Sequence, residues 1–235
     1  MEYSEKIKQL FQLGNVDELN STHVYDEIGF ETSDIPELIQ LGTDTSLLNS
    51  SPNEKKNWAP VHAWHVLAKM KATEAMGKLV ELFHRLEDNH HVDEELPEIF
   101  AQFGTPALPL LEKYVKNADH GTGARATAAA CIKEIGKWHT ELRKRCVDFL
   151  TAQIKKFEGN DAEFNGFLIW YLTDLQAKES FSVIKEAFKR NCVDKTLVGD
   201  VSNIEYQLKL TDKVPQVQIF AEESLEDNDT DEKNL

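Results

Sequence analysis

The chain is short of the residues that disulfide-stapled and metal-stapled folds are built on. Cysteine occurs three times in 235 residues. Cys131, Cys146 and Cys192 are scattered and fall at helix-core positions. That spacing offers no zinc pair and no disulfide framework, and it predicts buried thiols in a reducing compartment. Basic residues are also scarce. Lys and Arg number 26 against 41 Asp and Glu, a formal charge of −15. An acidic shell repels phosphate backbones and anionic lipid, so nucleic acid and membrane are not expected as partners. No apolar run approaches the length of a membrane span. The segment MEYSEKIKQLF is charged and amphipathic where a secretory signal would carry an apolar core. A cytoplasmic protein is the expectation. The sequence also has no glycine loop for phosphates, no nucleophile elbow and no adjacent His-Glu pair.

What the sequence does have is a recurring pattern of helices. ATEAMGKLVELF from Ala72, GTPALPLLEKYV from Gly104 and AKESFSVIKEAF from Ala177 each open on a small residue and then space apolar side chains at helical intervals. A fourth copy is expected from Gly136, with its apolar set (Leu142, Cys146, Val147, Phe149, Leu150) starting a turn late. Each of these helices follows another, expected over residues 60–70, 93–103, 123–135 and 162–175, with Pro60 in a first turn and Asp93 and Asp161 as N-caps. Recurrence every 30 to 40 residues, roughly, marks a solenoid of helical hairpins, in which neighbours cover apolar faces that a lone hairpin exposes.

The segments PVHAWHVLAKM, EELPEIFAQFG and ARATAAACIKEIG, with the helices that follow them, resemble HEAT repeats, and within them the bacterial lyase-type HEAT-like group. The resemblance implies an all-α fold, an α-α superhelix of the HEAT-like solenoid kind. It spans residues 58–210 as the repeat array, with residues 1–50 as divergent capping helices and residues 221–235 as a disordered acidic tail. Helices are expected over 2–13, 17–28 and 36–41, with a turn of helix over 44–49, a polar loop over 50–57 and a short extended segment over 214–220. The tail carries seven acids and one base.

On such a scaffold the expected function is non-catalytic binding of a protein or peptide, with no cofactor. Trp58, Trp64, Trp138 and Trp170 are the candidate aromatic anchors, wherever they are exposed. Residues 121–160 hold eight bases against four acids, a basic island in an acidic chain, so Arg143, Lys144 and Arg145 are candidates for contacting an acidic partner. The alternatives are enzymes or ligand-binding proteins that the HEAT resemblance implies. A bilin lyase would use the tryptophans as cleft walls. A metal hydroxylase would need His-Glu pairs, whereas the comparable point here reads Glu94-Glu95. A DNA glycosylase would need bases lining one face, whereas acids alternate with Lys and Arg here. His62 and His65, three apart on one helix, and His90 and His91, beside Asp93 and Glu94, are the weak metal candidates. Glu81 and His84 form a lone Glu-x-x-His pair, which di-iron bundles use twice.

Overall fold

The computed structural model describes residues 3–19, 23–49 and 54–215. All regular structure among them is helical. The first part of the chain forms α1 (Glu5–Lys8), α2 (Val24–Ile28), α3 (Ile35–Gly42) and α4 (Thr45–Leu48). Then come α5 (Ala59–Lys69), α6 (Met76–Leu79), α7 (Leu82–Arg85), α8 (His90–Phe103) and α9 (Leu108–Lys116). The chain continues with α10 (Thr122–Trp138), α11 (Arg143–Ile154), α12 (Ala162–Asp174), α13 (Phe181–Lys189), α14 (Lys195–Val198) and α15 (Val201–Gln207). None of these helices is long and apolar enough to cross a membrane. The acidic segment 221–235 lies outside the described residues. Of the segment 214–220, only Val214 and Pro215 are described, without regular structure.

One series of helices packs in sequence order. α3 lies on α5, α5 on α8, α8 on α10, α10 on α12, and α12 on α14. The intervening helices lie against these: α7, α9 and α11 on α10, and α11 also on α12 and α13. One buried apolar cluster runs from Ile7 to Leu208. α10 is at its centre. Its run of small residues (Ala124, Ala126, Ala128, Ala129, Ala130, Gly136) is buried, which lets α8, α9, α11 and α12 all approach one helix.

Links between successive helices use a similar turn at several points. After α5 and after α12 the chain passes through a left-handed residue, Lys71 (φ 54°) and Gln176 (φ 51°). Ala72 N–H then donates to Leu67 O, and Ala177 N–H to Leu172 O, at 3.0 and 2.9 Å. These six-residue closures satisfy the last carbonyls of the helix. A three-residue 3-10 turn follows, Thr73–Ala75 or Lys178–Ser180, and the second helix begins. At Gly104 (φ 69°) the same turn, Thr105–Ala107, follows a glycine. Ala72, Gly104 and Ala177 thus all stand directly before a 3-10 turn, though Gly104 takes the left-handed conformation itself and bonds Phe100 O.

Gly136 does not stand before such a turn. It is buried inside α10, where an added Cβ would lie 3.0 Å from Cys146 Cβ and 3.1 Å from Leu175 Cδ2. The corresponding junction is at His139, three residues on, before a turn closed by Leu142 N–H to His139 O at 2.8 Å. Three other expectations are also corrected. The helix expected over 17–28 is a 3-10 turn (Val16–Glu18), an extended Leu19 and the short α2. Asp93 is not an N-cap: α8 starts three residues earlier, capped by Asn89, whose Oδ1 accepts from Val92 N–H at 3.3 Å. Cys192 is only half-buried, while Cys131 and Cys146 are buried as expected and burial pushes both thiols up, Cys146 to about 11.

Side chains also cap carbonyls of helices further along the chain. Lys71 Nζ donates to Gln102 O near the end of α8. Arg143 donates to Leu175 O and Gln176 O at 2.9 and 3.0 Å, past the end of α12. Gln176 and Lys178 donate to Gln207 O and Lys209 O, both at 3.2 Å, at the end of α15. Each donor acts 31 to 33 residues ahead of itself. Three of the four are cations at the negative end of a helix dipole.

Candidate functional site

The exposed sides of α8, α10 and α12 enclose a groove of about 450 Å³. α10 supplies its floor through Gly123, Ala126, Thr127 and Ala130, four small residues on adjacent turns. α8 supplies Asp93, Glu94, Pro97 and Glu98. Pro97 sits inside this helix and cannot donate to Asp93 O. α12 supplies Glu163, Phe167, Trp170 and Tyr171. The last three rings lie within 29° of parallel, with centroids 6.0 to 6.5 Å apart, and form an aromatic shelf. Trp170 is 47% exposed on this shelf.

A second cavity, about 560 Å³, adjoins the first and shares Glu98 with it. It lies among α2, α5, α8 and the end of α10, lined by Tyr25, His65, Gln102, Trp138 and His139. Trp138 is 52% exposed. His139 is held over Gly104 and shares a 2.9 Å hydrogen bond with Ala101 O. The carbonyl can only accept, so His139 Nε2 carries the proton.

The first groove is strongly acidic. Asp88, Asp93, Glu94, Glu98, Glu134 and Glu163 line it, against Lys133 as the one base. Lys133 is engaged: it lies 2.5 Å from Glu134 and 3.6 Å from Asp174. Burial pushes the Glu134 carboxyl up, but Lys133 and Lys137, the latter at 3.0 Å, outweigh it and hold the group below its ordinary range. Asp93 goes the other way. Partial desolvation in the groove raises its pKa, and the charges of Asp88, Glu87 and Glu94 add to the rise. Thr127 Oγ1 donates to Asp93 Oδ1 at 2.6 Å and opposes the shift without cancelling it. Asp88, Glu98 and Glu163 have no cationic partner among the described residues.

The four tryptophans separate into two pairs. Trp58 and Trp64 are buried, so they are not available as anchors. Trp64 donates from Nε1 to Gly42 O at 2.6 Å, and Trp58 packs edge-on against His91. Trp138 and Trp170 are exposed, one in each cavity. The basic island is occupied internally. Arg143 caps α12 and pairs with Glu179 at 2.9 Å, Lys144 pairs with Asp148 at 2.6 Å, and Arg145 pairs with Glu112 at 2.9 Å.

The histidines do not assemble a metal centre. Both ring nitrogens of His62 are taken. Gly14 O lies 2.8 Å from Nε2 and Tyr25 Oη 2.8 Å from Nδ1. Nε2–H donates to the carbonyl, and Tyr25 O–H donates to Nδ1. His65 faces Glu95 at 3.7 Å, and His90 pairs with Glu94 at 3.0 Å. His91 is turned inward and buried. Glu81 pairs with Lys78, and His84 bonds Tyr114, so that pair does not converge either. No cluster of three His, Cys, Asp or Glu suited to a metal ion occurs among the described residues.

Sequence reasoning missed Glu98, Glu163 and the alanine floor. The alanines could have signalled a groove, since ARATAAACIKEIG thins one helix between two thicker ones. The acids had no distinguishing signal, because surface helices commonly carry them. Comparison with known protein families, with curated proteins and with solved structures finds no match to this chain.

Proposed function

We propose that the chain is a HEAT-like helical-repeat scaffold that binds a protein or peptide and performs no chemistry of its own. The repeat reading is supported by the 3-10 turn that follows each of Ala72, Gly104 and Ala177, and by the carbonyl caps that reach 31 to 33 residues along the chain. The binding reading is carried by one observation. Trp138 and Trp170, the two exposed tryptophans, flank adjoining cavities that meet at Glu98. Large exposed rings beside a groove are what binding surfaces concentrate. An enzyme reading has no comparable support, since both ring nitrogens of His62 are taken and no group of three His, Cys, Asp or Glu suited to a metal ion occurs among the described residues.

The test is selection of peptides from a random displayed library on the full chain, followed by titration of the synthetic peptides. Selected peptides are expected to bind wild type and to lose about tenfold or more in affinity on Trp138→Ala with Trp170→Ala. The unfolding curve should stay close to wild type, because both side chains are half in solvent. Equal affinity for the variant, or failure to select any peptide, contradicts the reading.

A further inference from the structure

We infer that the occupant of the groove is a basic, arginine-bearing peptide segment of a partner protein. This rests on the binding reading above and names its ligand class. Glu98 and Glu163 stand on opposite walls, on α8 and α12, and Asp88 lies just before α8. None of the three has a cation among the described residues. Nearby cations are already engaged: Lys133 and Lys137 with Glu134, Lys69 with Asp26 at 2.6 Å, and Lys71 with a helix carbonyl. The groove thus holds an excess of negative charge that the described residues do not neutralise. Crowding of Asp93 by Asp88, Glu87 and Glu94 is a second sign of the same excess. A cationic occupant relieves it.

The shelf selects among cations. Tyr171 is buried with Lys133 over its ring, which leaves the half-buried Phe167 and the exposed Trp170, nearly parallel, as the faces the shelf offers. A guanidinium stacks flat on such a face and still donates in its own plane to flanking carboxylates. A lysine ammonium is a compact, strongly hydrated charge and gains less from this arrangement. The alanine floor leaves depth for a main chain between the walls. The second cavity, reached past Glu98, offers Trp138 to a residue further along the same segment.

The full chain is titrated with a synthetic peptide alternating arginine and alanine, its lysine and glutamate counterparts, and spermine. The arginine peptide is expected to bind tightest, the lysine peptide more weakly, and the glutamate peptide not at all, with affinity falling as salt rises. Asp88→Asn, Glu98→Gln and Glu163→Gln combined should weaken the arginine peptide by about tenfold. A charge-matched control, Glu27→Gln, Glu74→Gln and Asp212→Asn, alters exposed acids away from the groove and should change affinity by less than about twofold. Trp170→Ala should reduce the preference for arginine over lysine. Equal weakening by the two triple variants would mean general attraction to an acidic protein and overturns the inference. Spermine binding as tightly as the arginine peptide overturns the peptide part of it. If the arginine peptide fails while library-selected neutral peptides still bind through Trp138 and Trp170, the ligand class is wrong and the scaffold reading stands. If neither binds, both fail.

Discussion

His62 joins three stretches of chain that are far apart in sequence. It lies on α5, its Nε2 bonds the Gly14 carbonyl, and its Nδ1 accepts from Tyr25 on α2. Burial lowers its pKa from 6.5 to about 4, although the Gly14 bond favours the charged ring. The consequence for stability has a definite sign. Between pH 6.5 and about 4 the unfolded chain binds a proton at this residue and the folded chain does not. Stability is therefore full above pH 6.5 and declines as pH falls toward 4, by roughly 3 kcal/mol at most from this residue. Urea unfolding at pH 7 and pH 4.5 tests this. His62→Gln, which keeps a donor and an acceptor but does not titrate, should lose less stability across that interval than wild type. Parallel losses would show that His62 does not titrate between the two states. At this scale the sequence marked the residue, as a weak metal candidate in a chain expected to hold no metal, but not its partners. The spacing to His65 drew attention to a metal pair, but the partners of His62 come from Gly14 and Tyr25, which no local pattern connects to it.

Helix positions were largely legible, because apolar spacing and proline in first turns follow from backbone geometry alone. The observed Ala59–Lys69 and Ala162–Asp174 lie within a residue of the expected bounds. Junctions were less so. A small residue looks the same whether it opens a turn, as Ala72 and Ala177 do, or lets two helices touch, as Gly136 does against Cys146. Which side of a helix faces solvent was hardest in NGFLIWYL of α12. Its apolar residues run all the way round, so nothing in the spacing singles out Trp170 as the exposed one. The caps between hairpins belong to this scale and carry a prediction. Arg143→Ala leaves two carbonyls past the end of α12 without their donors, and it should cost about 1–2 kcal/mol in chemical denaturation. Lys144→Ala, next in sequence but in an exposed pair with Asp148, should leave the denaturation midpoint unmoved. Equal effects would mean that the caps contribute nothing beyond surface charge.

Across the molecule, charge is arranged more informatively than its sum suggests. The basic island around Arg143, Lys144 and Arg145 drew attention because it was the exception in an acidic chain, but its members pair with Glu179, Asp148 and Glu112. The unbalanced charge is negative and lies with the exposed aromatic rings in the groove across α8, α10 and α12. The sequence could not reveal this juxtaposition. Asp88 and Glu98 come from one stretch of chain and Glu163 and Trp170 from another, and only packing on the alanines of α10 brings them together. The four tryptophans supply their own reporters, since each carries one indole N–H. Proton–nitrogen NMR spectra of the full chain, recorded as a peptide selected on it is added, follow all four at once. The account predicts that the Trp138 and Trp170 signals shift with saturation while the buried Trp58 and Trp64 signals stay in place. Shifts confined to Trp58 and Trp64, or no shift at either exposed ring at saturation, would contradict it.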